Sequence, residues 1–180
     1  MLPSGNDAAF TVAEYFSNVI FKAKYEKMPI KAQEKIRSYA YARHPIRFFL
    51  HEMNCLARDM GMKDSYFDSP HGLSNRWNVS SVADMAKLTY ACMKIPMFRK
   101  IVATPKLETK ARESTIKNKT RYRWTSTNKM LGSRLDIDTG KYLPKNDWVK
   151  GCKTGITQAA GPCFAGYFER TCLSGHPTLE

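Results

Sequence analysis

Apolar residues return about every 3.6 positions near the start of the chain. Ala8, Ala9, Val12, Ala13, Phe16, Val19 and Ile20 fall on one stripe, which predicts an amphipathic helix with Asn6 or Asp7 as its cap. Residues 27–35 form a polar break around Pro29. A second helical period opens at His44-Pro45. Its apolar face is Phe48, Phe49, Met53, Leu56 and Met60, and Gly61 is a natural stop. The stretch "FDSPHGLSNRWN", residues 67–78, is dense in turn formers and predicts a shaped loop. Ser80 or Ser81 caps a third helix carrying Val82, Met85, Ala86, Leu88 and Cys92. Asp84 in its first turn suits the positive end of the helix dipole. Pro96 opens a short helix, "PMFRKIVA".

The period then changes. Residues 105–125 read as two polar strands with a mobile connection. "TSTNKML" follows, then a loop with Gly140 and Pro144. The strand-like runs "WVKGCKTGIT" and "PCFAGYFER", joined by "QAAG", predict an antiparallel hairpin. No internal repeat is present, and residues 1–180 read as one domain without a second.

Length and composition fit that reading. The 180 residues amount to about one domain, and 43% hydrophobic with 12% aromatic residues is enough for a core. No apolar run reaches the roughly 18 residues of a membrane span. The opening "MLPSGNDAAF" has neither the basic start nor the apolar segment of a signal peptide. It begins at the approach to a helix, which suggests a fragment or a short gene product.

The net charge of +13 suits a polyanionic partner (nucleic acid, anionic lipid or anionic polymer) or a solvated basic face. Lys and Arg concentrate between Arg99 and Lys129, but acids are interleaved and no zinc-finger or RRM signature occurs. A nucleic-acid partner therefore rests on charge alone and is not the expectation. The five cysteines are odd in number and show no C-x-x-C spacing, which argues for buried thiols over a zinc cluster or a disulfide framework. Whether Cys152 and Cys163 face each other across the hairpin depends on its register, which the sequence leaves open. The four histidines form no H-E-x-x-H pattern. Neither a metal site nor a cofactor is expected.

Two short motifs carry chemistry. Ser4-Gly5-Asn6 stands just before the first helix, and Lys153-Thr154-Gly155 ends the first strand of the hairpin. Acyl transfer needs an activated nucleophile, a proton shuttle and an oxyanion hole. A lysine places positive charge where a carboxylate docks, and a threonine hydroxyl can bond that carboxylate. A glycine clears the strand edge for a substrate. A serine and an asparagine on a facing loop supply a hydroxyl relay and an amide. Either motif alone would be an ordinary turn or cap.

Ser-x-Asn and Lys-Thr-Gly are two of the three motifs of the penicillin-binding serine acyl enzymes. "LPSGNDAAFTVAEY", "MNCLARDMGMKDSYFDSPHGL", "SSVADMAKL", "TSTNKML" and "VKGCKTGITQAAGPCFAG" occur in the order of one family. Over about residues 1–171 the chain resembles the D-alanyl-D-alanine carboxypeptidases of the low-molecular-mass penicillin-binding proteins, peptidase family S11. The resemblance implies an α+β fold of the penicillin-binding-protein and serine β-lactamase type, a five-stranded antiparallel sheet with helices on its faces. It implies a serine-type carboxypeptidase acting on peptidoglycan stem peptides ending in D-Ala-D-Ala, open to β-lactams, and placed in the periplasm or cell envelope. By the same resemblance Ser4, Asn6 and Lys153 are catalytic, and Thr154, Gly155 and Ile156 bind substrate. The backbone N–H of Ile156 would complete the oxyanion hole. His71 and Gly72 are expected to shape a loop. Ser4 or Asn6 should then lie within contact of Lys153.

The third motif, Ser-x-x-Lys, departs from the family order, since it should precede Ser-x-Asn at the head of a buried helix. The chain has two matches, Ser114 to Lys117 and Ser126 to Lys129, both after it. With 12 serines and 18 lysines, chance alone gives roughly one such match. Neither is expected to be the nucleophile, and the chain reads as N-terminally truncated. "TCLSGHPTLE" offers no match for the family's carboxylate-binding arginine. The family's first strands would precede residue 1 and its final strand would follow residue 171. The hairpin would then expose an edge that a neighbour should cover. Two further readings stay open: a non-catalytic relative that keeps the cleft for binding, and a basic nucleic-acid-associated protein.

Overall fold

The computed structural model describes residues 1–38, 46–110, 121–132, 134–135, 142–143, 148–171 and 177–179. They fall into two compact units. One is Gly5–Leu88; the other joins Met1–Ser4 to Thr89–Glu180.

In the unit Gly5–Leu88, helix α1 (Asn6–Ile20) runs on into a π-helical turn, Phe21–Tyr25. Its N-cap is Gly5 in an extended conformation, so neither Asn6 nor Asp7 caps it. Asp7 sits in the first turn instead, where its charge favours the helix dipole. The expected apolar stripe is rotated. Ala13 and Ser17 are fully buried, whereas Val12, Phe16 and Val19 stand exposed. The reason is close packing: α1 contacts α3 (Arg47–Asp59), and small side chains four apart let the two backbones approach. Ser17 Oγ accepts the Phe49 N–H at 3.4 Å, and Phe21 and Tyr25 each pack on Phe48 with ring centres 5.0 Å apart.

The polar break is largely a helix, α2 (Ile30–Ser38). Pro29 lacks an N–H, so it fits a helix start, where that donor would be unpaired anyway. Its carbonyl accepts from Ala32 and Gln33. Gln33 Nε2 also donates to the carbonyls of Glu26 and Met28.

The predicted start of the next helix at His44-Pro45 lies outside the described residues. Helix α3 buries Asn54 and Ala57 and exposes Leu56, so its inner face is also turned from the apolar reading. Asn54 is kept inside by paired bonds. Its Nδ2 donates to Leu50 O and Phe67 O, and its Oδ1 accepts the Phe67 N–H at 2.8 Å. The loop 67–78 is shaped as expected. Leu73 N–H donates to His71 Nδ1, and Gly72 has φ 73°. Asn78 organises it, accepting from the Asp68 and Ser69 amides and donating to Ser69 Oγ and Leu73 O. Helix α4 (Val82–Met93) is capped by Ser81, whose Oγ accepts the Asp84 N–H.

The second unit holds α5 (Pro96–Val102) and the strands. β1 (Lys106–Lys110) pairs antiparallel with β2 (Arg121–Thr125), and Glu108 lies between Arg121 and Arg123. The connection between them lies outside the described residues, as do Gly140 and Pro144, but the stretch expected as a loop around those two residues also holds a pair of short strands. β3 (Arg134–Leu135) pairs with β4 (Tyr142–Leu143). β5 (Val149–Thr157) and β6 (Gly161–Thr171) form the predicted hairpin. A further strand, β7 (Pro177–Leu179), pairs with β6 on its other side. That gives the order β5-β6-β7, so among the described residues β5 is an edge strand. The hairpin register sets Cys152 opposite Gly166 and Cys163 opposite Gly155; the two cysteines do not face each other. Cys152 is buried with Met93 and Val102, flanked by Phe98 and Tyr167. Arg99 grips both oxygens of Glu169 at 2.7 Å and ties α5 to β6.

Candidate active site

The site begins with the alternation of β5. A bulge between Val149 and Gly151 interrupts the ladder, and such bulges re-aim the side chains that follow. Cys152 then points into the core and Lys153 lies half-buried. Gly151 is required here. Its φ is 147°, and an added Cβ would stand 2.8 Å from Val102 Cγ2.

Lys153 Nζ donates to Ser4 Oγ at 2.7 Å and to the Thr154 carbonyl. The partners Lys153 and Ser4 are 149 positions apart in sequence. Burial holds the Lys153 ammonium below its ordinary pKa, with the neighbouring Cys152 acting weakly the other way. A lysine moved toward neutrality gives up and recovers a proton more readily at working pH.

Ser4 is held in an unusual backbone state. Its φ of 56° is the one positive value for a non-glycine among the described residues. Such conformations cost about 1–3 kcal/mol and cluster at functional sites. Ser4 N–H closes a turn on Met1 O, and Leu2, buried beneath, accepts the Thr127 N–H at 3.1 Å. Asn6 opens α1 in the other compact unit, exposed and making no side-chain capping bond.

Thr154 follows Lys153 and its Oγ1 lies 2.5 Å from Thr127 Oγ1. Gly155 is exposed, and an added Cβ would meet only Cys163 Cβ at 4.0 Å. Among the described residues nothing therefore demands a glycine there. Ile156 is 78% exposed on the same edge strand.

Ser126 and Lys129 do not make a nucleophile site. Ser126 Oγ accepts the Asn128 N–H, and Lys129 starts a three-residue 3-10 turn rather than a buried helix. The match at 114–117 lies outside the described residues. Cys152 is no nucleophile either. Burial pushes its thiol up to about 11, with Cys92 adding to the shift and Lys153 opposing it. Among the described residues no cluster of three His, Cys, Asp or Glu side chains could hold a metal. No described helix is long and apolar enough to cross a membrane.

The structure thus joins Ser4, Lys153 and Thr154 and adds Thr127, which sequence reasoning did not single out. Its one signal was membership of "TSTNKML". A threonine in a polar stretch has no pattern of its own that marks a partner 27 residues away.

Comparison with known proteins converges on one group. Residues 46–171 match the family profile of the D-alanyl-D-alanine carboxypeptidases, peptidase family S11. The chain is 30% identical over 164 residues to the D-alanyl-D-alanine carboxypeptidase of Streptomyces sp. strain K15, covering 87% of this chain and 50% of that protein. It is 27% identical over 163 residues to the D-alanyl-D-alanine carboxypeptidase DacF of Bacillus subtilis, covering 91% and 31%. The crystal structure of the Streptomyces K15 DD-transpeptidase aligns with a TM-score of 0.65 at 27% identity, over 94% of this chain and 53% of that one. The fold is therefore the expected α+β penicillin-binding-protein type, helices with antiparallel sheets. The chain spans half or less of the length of these curated relatives.

Proposed function

We propose, from the premise that this chain belongs to the D-alanyl-D-alanine carboxypeptidase family, peptidase family S11, that its residues form part of a serine-type carboxypeptidase site for peptides ending in D-Ala-D-Ala. The observation that carries this reading is the Ser4–Lys153 hydrogen bond. It brings a member of the Ser-x-Asn motif onto the lysine of Lys-Thr-Gly from the opposite end of the chain.

In this reading Lys153 and Thr154 receive the terminal carboxylate of the substrate, one by charge and one by hydroxyl donation. The peptide lies along the edge of β5 above Gly155, where a side chain would stand in its way. The Ile156 N–H helps hold the developing oxyanion. A serine hydroxyl oxygen bonds to the carbonyl carbon of the penultimate residue as its proton passes into the Ser4–Lys153 relay. The amide C–N bond breaks, and D-Ala leaves as the amine after taking a proton relayed through Ser4 and Lys153. Water then cleaves the ester. Neither Ser114 nor Ser126 is taken as the acylated serine. β-Lactams enter by the same route, and the working place is the cell envelope. We read both compact units as one peptidase domain, because the family match from 46 to 171 runs through both.

The 180-residue chain should bind an N-acylated peptide ending in D-Ala-D-Ala, followed by calorimetry or by NMR titration. Lys153→Ala should weaken that binding by roughly 10- to 100-fold, the worth of a charge-assisted hydrogen bond. Lys106→Ala, an exposed change on β1, should leave it unchanged. Equal losses would assign the effect to bulk charge, and no binding by the unaltered chain would defeat the reading.

A further inference from the structure

Thr127 touches both halves of the site without belonging to either motif. Its backbone amide donates to Leu2 O, two residues before Ser4, at 3.1 Å. Its hydroxyl meets that of Thr154 at 2.5 Å. The segment around it is pinned. Ser126 N–H donates to Pro105 O, Asn128 N–H donates to Ser126 Oγ, and Asn128 is buried with its Oδ1 accepting the Met130 N–H. Thr127 itself is exposed, so the hydroxyl pair is open to an incoming group.

We propose that Thr127 is a positioning residue that sets the direction of the Thr154 hydroxyl and thereby selects a substrate with a free carboxylate. The argument is proton bookkeeping. Each threonine hydroxyl has a single proton and can also accept. With two hydroxyls in contact, one donates and the other accepts. If Thr154 donates to Thr127, its proton is spent and it offers a carboxylate only lone pairs. If Thr127 donates to Thr154, the Thr154 proton is released toward the edge of β5. A carboxylate accepts only, so its arrival selects the second arrangement. The resulting chain, Thr127 to Thr154 to carboxylate, is polarised along its length, which strengthens each bond. A carboxamide end can meet the pair in either arrangement, accepting through its oxygen or donating through its nitrogen, so it depends far less on this alignment. The inference rests on the reading above that Thr154 meets the carboxylate.

The test compares two N-acylated peptides, one ending in D-Ala-D-Ala carboxylate and one in its carboxamide, on the full 180-residue chain. Thr127→Val keeps the side-chain shape and removes the hydroxyl. It should weaken carboxylate binding roughly tenfold and leave carboxamide binding as it was. Thr127→Ser should restore the preference. If Thr127 acts through Thr154, the double variant Thr127→Val/Thr154→Val should bind no more weakly than Thr154→Val alone. Thr127→Ala repeats the comparison should valine disturb folding, which thermal melting reports. Unchanged carboxylate binding in Thr127→Val, equal losses for both peptides, or additive losses in the double variant would each overturn the proposal while the broader reading stood. No preference for the carboxylate in the unaltered chain would remove both.

Discussion

Ser4 combines a strained backbone with a working hydroxyl, and the two can be separated. Its φ of 56° disfavours any side chain with a Cβ, and its Oγ accepts from Lys153. Ser4→Ala keeps the strain and loses the hydroxyl. Ser4→Gly loses the hydroxyl but relieves the strain. Denaturant unfolding should therefore find Ser4→Gly more stable than Ser4→Ala by about 1 kcal/mol. Equal stabilities would mean that Ser4 leaves this conformation in solution. Lys153 shows the same trade. Its lowered pKa means that folding disfavours the ammonium, so at neutral pH it weakens the fold. That penalty fades as pH rises from its depressed value toward the ordinary 10.5.

Between loop and helix, Asp84 is the main tie. Its carboxylate is buried at the head of α4, with Oδ2 accepting from the Asp64 N–H and the Ser65 hydroxyl and Oδ1 from Lys87. Lys87 also donates to Gly61 O, so the end of α3 is fastened to the same point. Burial alone would raise this carboxyl, but Lys87, the Asp64 amide and Ser65 outweigh it and hold it below the ordinary 3.8. A group with a depressed folded pKa stabilises the fold above its unfolded value and loses that contribution as pH falls through the folded one. Asp84→Asn should therefore destabilise the chain at pH 7, by an amount that shrinks below about pH 4. Urea midpoints measured across that range check it, and a difference that stayed constant with pH would refute the assignment. On β5, the Gly151 bulge and the buried Cys152 together decide that Lys153, not its neighbour, reaches Ser4.

For the whole molecule the decisive question is whether these 180 residues react. Both Ser-x-x-Lys matches follow Ser-x-Asn, and the one at 126–129 sits on a 3-10 turn with its serine occupied by Asn128. A fluorescent penicillin should leave no adduct that survives denaturing electrophoresis, while the noncovalent peptide binding described above persists. A surviving band mapping to Ser114 or Ser126 would show that the nucleophile lies within the chain after all. The charge of +13 makes a separate contribution: any affinity for polyanions should collapse as salt rises, whereas the hydroxyl-dependent peptide preference should not.

Helices α1, α3, α4 and α5, the β1–β2 pair, the 148–170 hairpin and the two motifs could be read from the sequence, because periodicity, caps and turn residues act locally; α2 and the short strands β3, β4 and β7 could not. So could the family, since its segments recur in order. What the sequence could not yield was which way each helix faces. Ser17 and Asn54 look like surface residues and are buried, because a neighbouring backbone needs room in one case and a hydrogen-bonding partner in the other. The polar run after Pro29 became α2 through proline geometry and the side chain of Gln33. The pairing of Cys152 with Gly166 waited on a bulge. The desolvation of Lys153, the backbone strain at Ser4 and the link from Thr127 to Thr154 arise only when residues far apart in sequence meet, so the tertiary structure alone decided them.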